Sequence, residues 1–128
     1  EDIHSRILSL IEKAKLATEN ITFEVNYNID DNTSFSSLAG MNIFRVVQEA
    51  INNAIKYAEA SKITIAINEK NNELLIAIDD NGNGFDIKTV SLGNGLSNME
   101  KRMSEINGKV KIESEIKKGT TIQIICKL

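Results

Sequence analysis

The apolar residues of this chain switch between two periods, and that switching restricts the fold more than any other feature. Ile3, Ile7, Leu10, Ile11, Ala14 and Ala17 recur at three- and four-residue steps, which predicts an amphipathic helix over 3–17. Ile21, Phe23, Val25, Tyr27 and Ile29 then alternate with polar residues, the pattern of a half-buried strand. After a polar loop over 30–37, a long helix is predicted over 41–59. Ile63, Ile65 and Ile67 share one strand face, Asn71-Asn72 forms a turn, and 74–78 is an unbroken apolar strand. These two strands read as a hairpin in the middle of a sheet. Leu96, Met99, Met103 and Ile106 mark a further helix, stopped by Asn107-Gly108. Val110, Ile112 and Ser114 start a closing hairpin that turns at Lys117-Lys118-Gly119 and returns through Ile122, Ile124 and Cys126. Strands this close together cannot all be parallel. The expected fold is α+β: a two-layer sandwich with a mixed five-stranded sheet and three helices on one face.

Bulk properties exclude several classes. A chain of 128 residues fits one domain and one core. A net charge of −3 gives no basic field to replace phosphate counterions, so nucleic acid is not an expected partner. No apolar run approaches the roughly 18 residues of a membrane span, and no secretory signal opens the chain. The lone Cys126 excludes an internal disulfide, suits a reducing compartment and reads as a small buried hydrophobe. The expected location is cytoplasmic, with a membrane anchor elsewhere in a longer protein left open. The chain starts at Glu1 without a methionine and is read as a piece of a longer protein.

Three polar features carry chemistry. On the long helix, Ile43, Val47, Ala50, Ile51, Ala54 and Ala58 form the apolar stripe. Glu49, Asn53 and Lys56 fall together beside it within an arc of roughly 60°, whereas Asn52 turns to solvent. A carboxylate and an amide oxygen one turn apart suit magnesium and its waters, and a lysine one turn on can reach a phosphate. A solvated Glu-Lys helix face explains the same residues taken alone.

The second feature is Asp80. Leu74, Ile76, Ile78 and Asp80 share a strand face by parity, with Asp79 opposite. An ionised carboxylate next to a core needs a hydrogen-bonding partner, and a purine amino group is one. Gly82 and Gly84 leave room for a flat base. A plain turn capped by Asp80 is the competing account. Third, Gly93-Asn94-Gly95 opens directly into a helix, whose first amides favour anions. Neither the dinucleotide fingerprint nor a GxxxxGK[ST] loop is present.

With these motifs in order, the chain resembles the GHKL ATPase superfamily of gyrase-type ATPases, heat-shock chaperones, mismatch-repair proteins and histidine kinases. QEAINNAIKYA over 48–58 resembles the N box, and DDNGNGFD over 79–86 the first glycine box. GNGLSNMEKRM over 93–103 resembles the second glycine box, and 107–124 the closing hairpin with its Gly-Thr. Within the superfamily it is similar to the nitrate- and desaturase-sensor branch of histidine kinases. The resemblance implies a catalytic domain using ATP and Mg2+, with Asn53 on the metal and Glu49 assisting proton transfer or orienting the nucleophile. It implies Lys56 on phosphate, Asp80 on the adenine amino group, and Gly82 and Gly84 around the base. Gly93, Gly95 and the Leu96 amide would close on the phosphates, and Thr120 would support the adenine side. Tyr57 stands at an ATP-binding position where the branch usually has histidine.

By resemblance, residues 1–19 connect from a dimerisation and phospho-acceptor hairpin, and 20–128 form the ATP-binding domain. His4 is the only histidine; Ser5 follows it in place of the acidic residue expected beside an acceptor. The implied partners are that hairpin and a response regulator, in a homodimeric full-length protein. An anti-sigma-factor-type serine kinase of the same fold and a non-catalytic nucleotide-binding interaction module are the alternatives.

Overall fold

Each change of hydrophobic period becomes a change of element. A computed structural model describes residues 3–29, 35–57, 59–84 and 95–127; for Ile3, His4, Tyr57, Gly95 and Leu96 only the backbone is described. Helix α1 (Ile3–Ala17) precedes strand β1 (Thr22–Asn28) and the long helix α2 (Ser37–Tyr57). The hairpin β2 (Lys62–Lys70) and β3 (Glu73–Asp80) follows, then helix α3 (Gly95–Ser104) and the hairpin β4 (Gly108–Glu115) and β5 (Gly119–Lys127). The sheet has five strands in the order β1-β2-β3-β5-β4. β1 runs parallel to β2, and the other pairs are antiparallel. The mixed sheet expected from strand spacing is therefore present, with the β2–β3 hairpin at its centre.

One sheet face carries Ile63, Ile65 and Ile67 of β2, Leu74, Ile76 and Ile78 of β3, and Ile122, Ile124 and Cys126 of β5, all buried. Ile43, Val46, Val47, Ala50, Ile51 and Ala54 of α2 join them in one core, with Met99 and Met103 of α3. Ile7 and Ile11 of α1 belong to the same core, and the Arg6 guanidinium sits 4.5 Å from the centre of the Phe44 ring. Burial pushes the Cys126 thiol above its ordinary value, as expected of a packed, unreactive cysteine. No described helix is long and apolar enough to cross a membrane.

Element ends differ from the periodicity reading where capping decides them. α2 begins at Ser37 rather than 41 because Ser36 caps it. The Ser36 hydroxyl accepts from the Ala39 amide at 3.1 Å, and the Ser36 carbonyl accepts from the Gly40 amide at 2.9 Å. Gly40 thus lies inside the first turns and does not delay the start. α3 ends at Ser104, and Asn107, at φ 58°, makes the left-handed reversal after it. Gly108 serves a different need: a Cβ there would lie 2.5 Å from Met103 Cε. Asn71 and Asn72 both have positive φ, at 54° and 62°, matching a tight two-residue hairpin turn.

Candidate functional site: a carboxylate at the sheet end and a polar helix edge

Strand parity carries Asp80 onto the helix-covered face, directly after the buried Ile78. Asp79 projects to the opposite face, where the Thr121 hydroxyl donates to its carboxylate. Asp80 is half-buried and accepts from the Gly82 amide at 2.9 Å. Burial pushes its carboxyl above the ordinary aspartate value and outweighs the backbone amides of Gly82 and Thr120, which pull it down; Asp79 adds a smaller upward push. Thr120 is the cross-strand partner of Asp80. The Thr120 hydroxyl lies 2.8 Å from that of Ser114.

The glycines after Asp80 are set by close backbone approach. Gly84 has φ 63°, and a Cβ on it would lie 2.0 Å from the Glu115 carbonyl oxygen. Gly82 is buried. On the other side, Gly119 has φ 110°, and a Cβ there would lie 2.0 Å from the Asp80 carbonyl oxygen. The Lys117 amide donates to the Asn83 carbonyl at 2.6 Å, tying the β4–β5 turn to the loop. The sequence reads Gly119 as a turn residue and, by resemblance, as the glycine of the closing hairpin's Gly-Thr, without a contact to Asp80. The signal was the glycine directly before Thr120, but its collision partner is 39 positions away in the chain.

The second group lies along α2. Ala50 and Ala54 are buried, Glu49 and Asn53 are half-buried, and Asn52 and Lys56 are exposed. The helical arc thus separates Asn53 from Asn52 as the spacing predicts. Among the described residues, Glu49, Asn53 and Lys56 have no hydrogen-bond or ion-pair partner, and no cluster of three or more His, Cys, Asp or Glu forms a ready-made metal cage. One carboxylate and one amide oxygen suit a hard cation that takes its other ligands from phosphate and water.

α3 begins at Gly95, so the backbone of Gly95 and Leu96 forms its first turn. Gly93 lies outside the described residues, as does the segment 85–92. α3 is held by Met99, Met103 and a residue the sequence reading passed over, Asn42 of α2. Buried Asn42 donates to the Arg102 carbonyl at 2.8 Å and to the Glu105 carboxylate at 3.3 Å, satisfying a C-terminal carbonyl of α3.

The described part of the site thus consists of a half-buried carboxylate at the end of a central strand, a helix edge offering Glu49 and Asn53, and the start of α3 at Gly95. The profile of the histidine kinase-, DNA gyrase B- and HSP90-like ATPases matches residues 40–128. The chain belongs to this family. Over 102 residues the ATPase domain is 36% identical to the sensor histidine kinase LiaS of Bacillus subtilis, covering 79% of this chain and 28% of LiaS. It is 36% identical over 113 residues to the oxygen sensor histidine kinase NreB of Staphylococcus carnosus, covering 80% of this chain and 32% of NreB. The chain thus spans under a third of the length of these relatives. Its fold matches the histidine kinase domain of the blue-light activated histidine kinase of Erythrobacter litoralis EL346 with a TM-score of 0.79 over 98% of this chain and 59% of that one. At 13% identity, that likeness is one of fold. Family membership makes ATP the nucleotide this domain uses.

Proposed function

We propose that this ATPase domain donates the γ-phosphoryl group of ATP to a histidine on a helical hairpin outside residues 1–128. The half-buried Asp80 carries the reading: burial raises its carboxyl despite the Gly82 and Thr120 amides, and an adenine amino group would supply a further donor. Gly82, Gly84 and Thr120 shape the base side of the pocket. Asn53 would hold Mg2+ together with phosphate oxygens and water, and the metal would neutralise charge on the triphosphate. Lys56 would approach phosphate as a point charge, with Tyr57 beside it. Glu49 would orient the acceptor imidazole or take its proton. The amides at Gly95 and Leu96, with Gly93, would receive phosphate oxygens at the start of α3.

α1 is the segment through which a preceding dimerisation hairpin would enter the domain. On this reading the full-length protein is a cytoplasm-facing homodimer that passes its phosphoryl group to a response regulator, as the sensor-kinase relatives suggest.

The test is calorimetric binding of a non-hydrolysable ATP analogue, with and without magnesium, to the wild-type, Asp80→Ala and Asn53→Ala domains. Unchanged affinity in Asp80→Ala overturns the base pocket. A magnesium dependence that survives in Asn53→Ala overturns the metal assignment. In the full-length protein, label from γ-phosphate should appear as acid-labile, base-stable phosphohistidine; stable phosphoserine would instead support the serine-kinase reading.

A further inference from the structure

The loop after Asp80 is fastened on the side of the α2–β2 connector by two asparagine side chains. The Asn81 amide oxygen accepts from the Ser61 and Lys62 backbone amides, each at 2.9 Å. Its amide nitrogen donates to the Ser61 hydroxyl at 2.9 Å. The Asn81 backbone amide donates to the Lys62 carbonyl at 3.2 Å. Asn83 supplies a second strut, donating to the Glu59 carboxylate at 3.0 Å. Glu59 is held at φ 51°, a left-handed backbone that glycine or asparagine adopts more readily. Ser61 is itself fixed, since its carbonyl accepts from the Thr22 amide at 2.8 Å.

Gly82, whose amide donates to the Asp80 carboxylate, is the next residue after Asn81. Fixing Asn81 therefore fixes the donor that sets the Asp80 rotamer. We propose that Asn81 is a positioning residue for the base pocket: it bolts the Asp80 loop to the connector that ends α2, and so aims the Asp80 carboxylate at the nucleotide base. This rests on the base-pocket reading above. Asn81 is exposed, so its side chain adds nothing to the core, and its contribution lies in loop geometry. It also joins the two halves of the site, because the same connector leads directly from the α2 edge that carries Asn53 and Lys56.

The experiment measures dissociation constants for ADP and GDP, with thermal midpoints, in the full domain. The variants are Asn81→Ala, Asn81→Asp, Ser61→Ala and Asp80→Ala. Asp at 81 keeps an acceptor for both backbone amides, and the Ser61 hydroxyl can turn to donate to it. Asn81→Ala should weaken ADP binding on the order of tenfold and narrow the preference for ADP over GDP. Asn81→Asp should restore ADP affinity to within about threefold of wild type. Ser61→Ala, which removes one contact only, should lose about threefold and provides the reading if Asn81→Ala does not fold. Wild-type affinity in Asn81→Ala alongside weakened Asp80→Ala overturns the proposal while leaving the base pocket standing. So does an Asn81→Asp variant as weak as Asn81→Ala. Wild-type affinity in Asp80→Ala removes the base-pocket reading, and the positioning role with it.

Discussion

The loop that follows β3 and the polar edge of α2 border the same helix-covered face, yet they hold their residues by different means. The loop is built from backbone. Asp80 is held by amides, and Gly84 and Gly119 exist where a methyl group would meet a carbonyl oxygen at 2.0 Å. The α2 edge is built from side chains. Glu49, Asn53 and Lys56 project from a helix whose stability comes from its opposite, buried stripe. The difference teaches where function and folding separate. A substitution on the edge leaves the helix intact, whereas one in the loop disturbs the fold and the site together.

The strongest way to break this comparison is Gly119→Ala. A Cβ 2.0 Å from the Asp80 carbonyl, on a residue at φ 110°, should cost about 3–5 kcal/mol in chemical denaturation, more than any edge substitution. A loss near zero would show that the loop is not held by backbone contact. Next comes Asp80→Asn. An amide cannot accept from the Gly82 and Thr120 amides and the base with the same geometry, so nucleotide affinity should fall by about 30- to 100-fold by calorimetry. On the edge, Asn53→Ala should shift unfolding by less than about 0.5 kcal/mol while removing the magnesium dependence of binding. A large stability loss there would erase the contrast.

The smallest effect concerns pH. Because burial raises the Asp80 carboxyl above 3.8, the folded domain binds a proton more readily than the unfolded chain. The unliganded domain should therefore lose stability as pH rises from 3.8 through the raised value, and regain it on acidification through the same window. Nucleotide affinity should move oppositely, since the base needs the ionised form. Subtracting the Asp80→Asn pH profile from that of wild type isolates both slopes from the other carboxylates.

Much of the fold was legible because periodicity is local. The alternation of Ile63, Ile65 and Ile67 and the stripe from Ile43 to Ala54 each report their own buried face without any knowledge of what covers it. The same property placed Asp80 rather than Asp79 on the helix side, and Asn53 rather than Asn52 at the core border. Helix ends were less legible. Periodicity starts the long helix at 41, but the Ser36 cap starts α2 at Ser37. Asn42 gave no pattern at all, since one buried amide among α2's apolar residues is recognisable only by its acceptors on α3. Asn81 and Asn83 look like ordinary turn residues, and their partners at Ser61, Lys62 and Glu59 lie about twenty positions upstream.

By itself, the sequence determined the element types, the face each presents, the two polar groups that could meet a nucleotide, and the family. It did so because side-chain period and backbone preference are properties of neighbouring residues. Only the tertiary structure decided that Thr120 lies beside Asp80, that Gly119 touches the Asp80 carbonyl, and that Asn81 clamps the connector after α2. Those facts follow from strand register, which joins segments some twenty residues apart at β2–β3 and some forty apart at β3–β5, and which the hydrophobic pattern sets only when the strands pack together.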